Sequence, residues 1–142
     1  MFNPSHFHPM VVHFPIALIM VGFFAEFLGL FIKKERCFPT IGFYLLLLGT
    51  LAAIVAWSTG YFLTSELDGE PGRIRDQHEL FATLTLITAI FTAIYKTVIT
   101  ILKRDTTQLR YLYYGLYFCA FVFVSITGYI GGSLVMNFML GI

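Results

Sequence analysis

The stretch 10–32, "MVVHFPIALIMVGFFAEFLGLFI", decides the fold. It holds a single acidic residue, Glu26, and no Lys or Arg. A helix needs about 20 apolar residues to cross about 30 Å of hydrocarbon, and this stretch has them. Three more blocks repeat the pattern, at residues 41–63, 80–102 and 111–138. Over its 142 residues the chain is 58% hydrophobic and 12% charged, a balance foreign to a soluble domain of this size. Lipid admits only helices and closed barrels, and the runs are too long and continuous for barrel strands. The chain is therefore expected to be all-α, an integral membrane four-helix bundle forming one domain over 1–142, with helices at about 10–32, 41–63, 78–102 and 111–138.

Composition also excludes several classes. No Lys or Arg precedes residue 33, and the first apolar block is long enough to span, so a cleavable signal peptide is not expected. Cys37 and Cys119 form no CxxC or CxxCH pattern, which argues against a disulfide framework and covalent c-type haem. The formal charge of +1 comes without a basic patch, so nucleic acid is not an expected partner and the lipid bilayer is. Nothing resembles a nucleophile elbow or a phosphate-cradling loop, so the chain is not expected to be an enzyme.

The loops give an orientation. "KKERCFPT" (33–40) and "KRDTTQLR" (103–110) carry six of the nine Lys and Arg residues. The intervening "TSELDGEPGRIRDQHE" (64–79) offers only Arg73 and Arg75 against five acidic residues. The positive-inside rule puts the basic loops in the cytoplasm. In a bacterial inner membrane both termini of this multi-pass chain then lie in the periplasm. His6, His8, His13 and His78, all of the chain's histidines, fall at that outer end.

Periodicity indicates which faces look inward. At about 100° per residue, Ala82, Thr85, Ala89, Thr92, Ala93 and Lys96 share a face with His78. Leu80, Leu84, Ile87, Phe91, Ile94, Val98 and Ile101 form the opposite, lipid-facing side. The second block carries a small-residue stripe of Gly42, Gly49, Ala53, Ala56 and Gly60, and the fourth a GxxxG at Gly128 and Gly132. Close helix packing accounts for Gly42 and Gly49. Gly60, Gly128, Gly131 and Gly132 lie level with the histidines, where absent side chains leave space for something flat. Trp57, Tyr61, Phe62, Phe81 and Tyr129 offer aromatic walls or an interfacial belt. Pro15 predicts that the first helix proper starts there, with His13 just above it and free to turn inward. Glu26 and Lys96 are intramembrane charges, read as an ion pair between helices or as separately satisfied groups.

The leading expectation is b-type haem clamped by imidazoles from two helices, His13 and His78, with Arg73 and Arg75 near the propionates. Zinc or copper is the second candidate, drawn from the spacing H-x-H-x4-H with His78 or Glu79, so that His8, His13 and His78 are candidate metal ligands. The third is a non-catalytic structural or assembly subunit with no cofactor.

"HPMVVHFPIAL" (8–18), His78 and the closing "GYIGGSLVMNFMLGI" (128–142) resemble a bacterial four-helix transmembrane family filed as a domain of unknown function. Its members open with HPxxVHFPIAL and close with GGxLV. The resemblance spans nearly the whole chain and implies functional weight at His8, Pro9, His13, Phe14, Pro15, Glu26, His78, Gly131, Gly132, Leu134 and Val135. It favours His13 and His78 over His6. Some relatives accompany or fuse to cytochrome-type or Rieske-type redox proteins. The resemblance thus implies haem or a respiratory partner: larger redox-complex subunits, a cytochrome, or further copies of the chain. This chain departs from the pattern at Tyr129, where relatives often carry His or Trp, and in its short tail.

Overall fold

Prolines mark the helix starts. Pro9, Pro15, Pro39 and Pro71 are each the third residue of a helix: α1 (Phe7–Val11), α2 (His13–Phe31), α3 (Cys37–Leu63) and α4 (Gly69–Ile101). The last helix, α5 (Thr107–Phe138), has none. First-turn N–H groups have no acceptor within the helix, so proline forfeits nothing there. The computed structural model describes residues 7–32, 37–63, 68–104 and 106–138. His6, Lys33, Lys34, Arg36 and Glu66 lie outside the described residues.

This placement moves two expected boundaries. The second helical segment begins at His13, not at Pro15. Val12, between α1 and α2, keeps helical angles (φ −61°, ψ −23°), and its N–H donates to His8 O at 3.1 Å. The two segments therefore run on as one 25-residue rod from Phe7 to Phe31. The α4 helix starts at Gly69 rather than 78, converting much of the acidic loop into helix. Gly69 itself sits at φ +76°, a left-handed angle that glycine adopts without a Cβ clash. At its far end α4 closes with Lys103 at φ 52° and Arg104 N–H donating to Ile99 O at 3.0 Å. That is a Schellman-type reversal leading straight into α5.

The four long helices are each long and apolar enough to cross a membrane. The α2–α3 and α4–α5 hairpins pack most extensively, while α3–α4 and α2–α5 contacts close the ring. The short α1 lies against α3. Glycine explains how closely α2 and α3 approach. A Cβ on Gly49 would stand 2.8 Å from Ile19 Cγ1, and one on Gly42 would stand 2.8 Å from Gly22 O. On α4 the predicted stripe is inward: Thr85, Ala89, Thr92 and Ala93 are buried, whereas Phe91 and Ile101 are 65% and 71% exposed. The exposed face is bulky and apolar, as a lipid-facing surface should be.

The end of the bundle nearer residue 103 is closed. Glu26 is fully buried there, and Tyr113 Oη donates to its Oε1 at 2.6 Å. Tyr117 Oη donates to Gly42 O at 3.3 Å. Lys96 Nζ stands 4.5 Å from the centre of the Tyr113 ring, a cation–π contact. Lys96 makes no salt bridge among the described residues; Tyr113 stands between it and Glu26.

Candidate functional site

At the opposite end the polar groups are arranged differently. The first turn of α1 brings His8 against α3, and the third turn of α4 brings His78 against α5. Each ring rests on a glycine. A Cβ on Gly60 would lie 2.9 Å from His8 Cε1, and a Cβ on Gly131 would lie 3.0 Å from His78 Cε1. These two glycines are seats for imidazoles. The ring centres stand 6.4 Å apart with the planes at 84°.

Hydrogen bonds assign the tautomers. His8 Nδ1 lies 3.0 Å from Thr59 Oγ1. Thr59 Oγ1 in turn donates to Ala56 O at 2.9 Å, which favours a proton on His8 Nδ1. His78 Nδ1 lies 3.1 Å from Thr127 O, a carbonyl, and so also donates. A neutral imidazole protonated at Nδ1 keeps its lone pair at Nε2. His78 Nε2 has no hydrogen-bond partner among the described residues, and His8 has a further hydrogen bond to the Ala56 backbone.

The rings border a cavity of about 380 Å³, within the usual range of cofactor and ligand sites, about 300–1,000 Å³. His8, His13, His78, Gly60, Gly128, Gly131 and Gly132 all line it. The apolar walls include Ala53, Ala56, Ala82 and Val124. Thr85 and Thr127, whose hydroxyls are 3.2 Å apart, add a polar strip, and Arg75 and Glu79 supply charge. Trp57 and Tyr61 stack at 5.5 Å and 9° on the same lining, with Trp57 Nε1 donating to Thr83 Oγ1 at 3.0 Å.

The remaining predicted residues have other surroundings. His13 is exposed; its Nδ1 donates to Pro9 O at 2.7 Å, folding the ring back along its own rod. Gly128 accommodates Ile16 Cδ1, 3.2 Å from where its Cβ would be, and Gly132 faces open space. Tyr129 is 78% exposed and absent from the lining, as are Phe62 and Phe81. Arg73 pairs with Glu70 at 3.8 Å on the surface. Sequence reasoning missed Thr59 and Thr127, which hold the two rings. The one available signal was adjacency, because Thr59 precedes a glycine on the inward stripe of α3.

The ring separation has a chemical reading. With a metal–nitrogen bond of about 2.0 Å and a ring nitrogen about 1.1 Å from the ring centre, trans imidazoles on one ion have centres about 6.2 Å apart, against about 5.1 Å for a tetrahedral pair. The observed 6.4 Å matches the trans arrangement. Among the described residues, no group of three or more His, Cys, Asp or Glu side chains is close enough to hold a metal ion. The described residues thus bring together two imidazoles and no larger set of metal ligands.

Comparison with known proteins gives a family and no function. No curated protein and no solved structure matches the chain. The model of the family described as "Predicted membrane protein (DUF2231)" matches residues 4–142. The chain belongs to that family of predicted membrane proteins, a domain of unknown function.

Proposed function

We propose that the chain is a b-type haem-binding electron-transfer subunit of a bacterial inner membrane, with the histidine end outward and both termini periplasmic. His8 and His78 are the residues that would hold the haem. His8 takes the place that the sequence alone gave to His13, because its ring faces His78 while His13 bonds its own backbone. The observation that carries the reading is the 6.4 Å, 84° pairing of two imidazoles whose Nδ1–H groups are both committed elsewhere.

The residues fit the group on four counts. Two neutral imidazoles offer Nε2. Gly60 and Gly131 let the rings stand back from the cavity. Ala53, Ala56 and Ala82 give part of the wall an apolar surface, and Arg75 lies on the same lining. Haem b, when bound, supplies reversible one-electron transfer. The chain's own work is to hold it at the outer end and fix the ring tautomers.

The test is the visible spectrum of the full chain purified after haem-supplemented expression. A Soret band and a reduced α-band are expected, and His8→Ala and His78→Ala should each abolish the low-spin spectrum. Bleaching by His13→Ala but not by His8→Ala would move the axial position to His13. A colourless protein that co-purifies with larger membrane subunits would replace this reading with the assembly role, and stoichiometric zinc or copper would replace it with metal binding.

A further inference from the structure

The geometry points to a lateral entrance, and the haem reading on which this rests supplies the occupant. The cavity opens into the leaflet on the histidine side, through the seam between the Phe7–Phe31 rod and α5, and takes its bound group from the bilayer rather than from water. Four seams surround the cavity. Three of them are bridged by hydrogen bonds. His8 joins the rod to α3, at Thr59 Oγ1 (3.0 Å) and at the Ala56 backbone. Trp57 Nε1 joins α3 to α4 by donating to Thr83 Oγ1 at 3.0 Å. His78 Nδ1 joins α4 to α5 by donating to Thr127 O at 3.1 Å. The fourth seam, rod to α5, has no such bridge at this end among the described residues. Its hydrogen bond, from Tyr113 to Glu26, lies at the opposite end of the bundle.

Packing closes that seam up to one level and no further. Ile16 Cδ1 lies 3.2 Å from where a Cβ on Gly128 would stand, so the rod and α5 touch there. One turn further out, a Cβ on Gly132 would meet nothing within 4 Å. Val12 on the rod and Gly132, Val135 and Met136 on α5 all line the cavity, so the gap beyond Ile16 leads into it. The α5 rim is apolar and turned outward, with Val135 45% and Met136 83% exposed. In a membrane bundle such a rim faces lipid. The charged lining residues Arg75 and Glu79 stand instead on α4, diagonal to the rod. A flat, largely apolar group dissolved in the bilayer suits a slit of this kind, and haem has that chemistry.

The experiment uses the full chain in nanodiscs. Haem dissolved in the bilayer of the same disc should load the wild type at a rate that excess apomyoglobin in the water leaves unchanged. Gly132→Trp sets a large side chain in the gap, where the protein leaves room for it. Loading and release should then both slow by at least about tenfold, because a blocked entrance raises the barrier in both directions. Phe91→Trp adds comparable bulk on a lipid face off the lining and should load like the wild type. A haem-free arm replaces Cys37 and Cys119 with serine and adds Ala82→Cys on the lining. A bilayer-dissolved maleimide should label position 82 faster than a charged, water-soluble one, and Gly132→Trp should slow the former. Wild-type loading that apomyoglobin abolishes overturns the inference. So does faster labelling from water, or unchanged labelling in a Gly132→Trp chain with native helical circular dichroism. The first two results need no Gly132→Trp protein and decide the matter if that variant fails to fold. A wild type that never takes up haem, while position 82 is labelled from the bilayer as expected, sinks the haem reading and leaves the entrance standing.

Discussion

The two ends of this bundle use their polar groups in opposite ways. Near the basic loop, Tyr113 donates to Glu26 and Tyr117 donates to Gly42 O, and both tyrosines are completely buried. At the other end His8 and His78 bond to the helix walls and line a cavity. Glycine is abundant at both ends and does different work. Gly22 and Gly42 let helices and side chains close up; a Cβ on Gly22 would strike the Tyr117 hydroxyl. Gly60 and Gly131 instead give two imidazole rings room to rest against α3 and α5. The lesson is that small residues in a membrane bundle can create either contact or space, depending on what rests on them.

That contrast can be broken by substitution, and the largest effect belongs to the open end. Gly131→Leu removes the seat of His78, and haem affinity should fall by at least about 100-fold, the upper range for losing the orientation of a ligand. The helical circular dichroism should survive. If titration shows unchanged affinity, Gly131 is not a seat.

Gly42→Ala should come next. In a helix the added methyl brings about 1 kcal/mol of propensity. Its Cβ, however, would lie 2.5 Å from Glu26 Cγ and 2.8 Å from Gly22 O, and the latter is backbone that cannot swing away. Overpacking of about 1–3 kcal/mol should win, seen as a lower midpoint of unfolding in SDS titration. Tyr113→Phe probes the same end without adding volume. It deletes the donor to a buried carboxyl and should destabilise by about 2 kcal/mol while leaving haem uptake intact. Loss of pigment in Tyr113→Phe would mean that the two ends are coupled, which the comparison denies. The smallest effect is expected from Gly132→Ala, whose Cβ meets nothing within 4 Å. Its unfolding midpoint should stay level or rise slightly, by no more than about 1 kcal/mol.

Much of this architecture is legible in the residues. Hydropathy shows four spanning helices, and the 3.6 period finds the buried face of α4 because lipid selects bulk on one side and packing selects smallness on the other. His8, His13, His78 and the four glycines around them were all identifiable by depth alone, and they line one cavity. The boundaries were not legible. Pro15 read as a start, whereas Val12 keeps helical angles and the helical course runs back to Phe7. That difference of about two turns turns His13 onto its own backbone and brings His8 to face His78. The Glu26–Tyr113–Lys96 linkage was also beyond reach, because it joins three helices through a tyrosine whose rotamer no periodicity describes.

The most direct test of the paired imidazoles is low-temperature electron paramagnetic resonance of the oxidised, haem-loaded chain. Axial rings held at 84° should give the strongly anisotropic low-spin signal of perpendicular imidazoles, and His8→Ala should convert it to high spin. A wild-type spectrum that is high-spin, or a low-spin signal that His8→Ala leaves untouched, would contradict the claim that His8 and His78 share one ion.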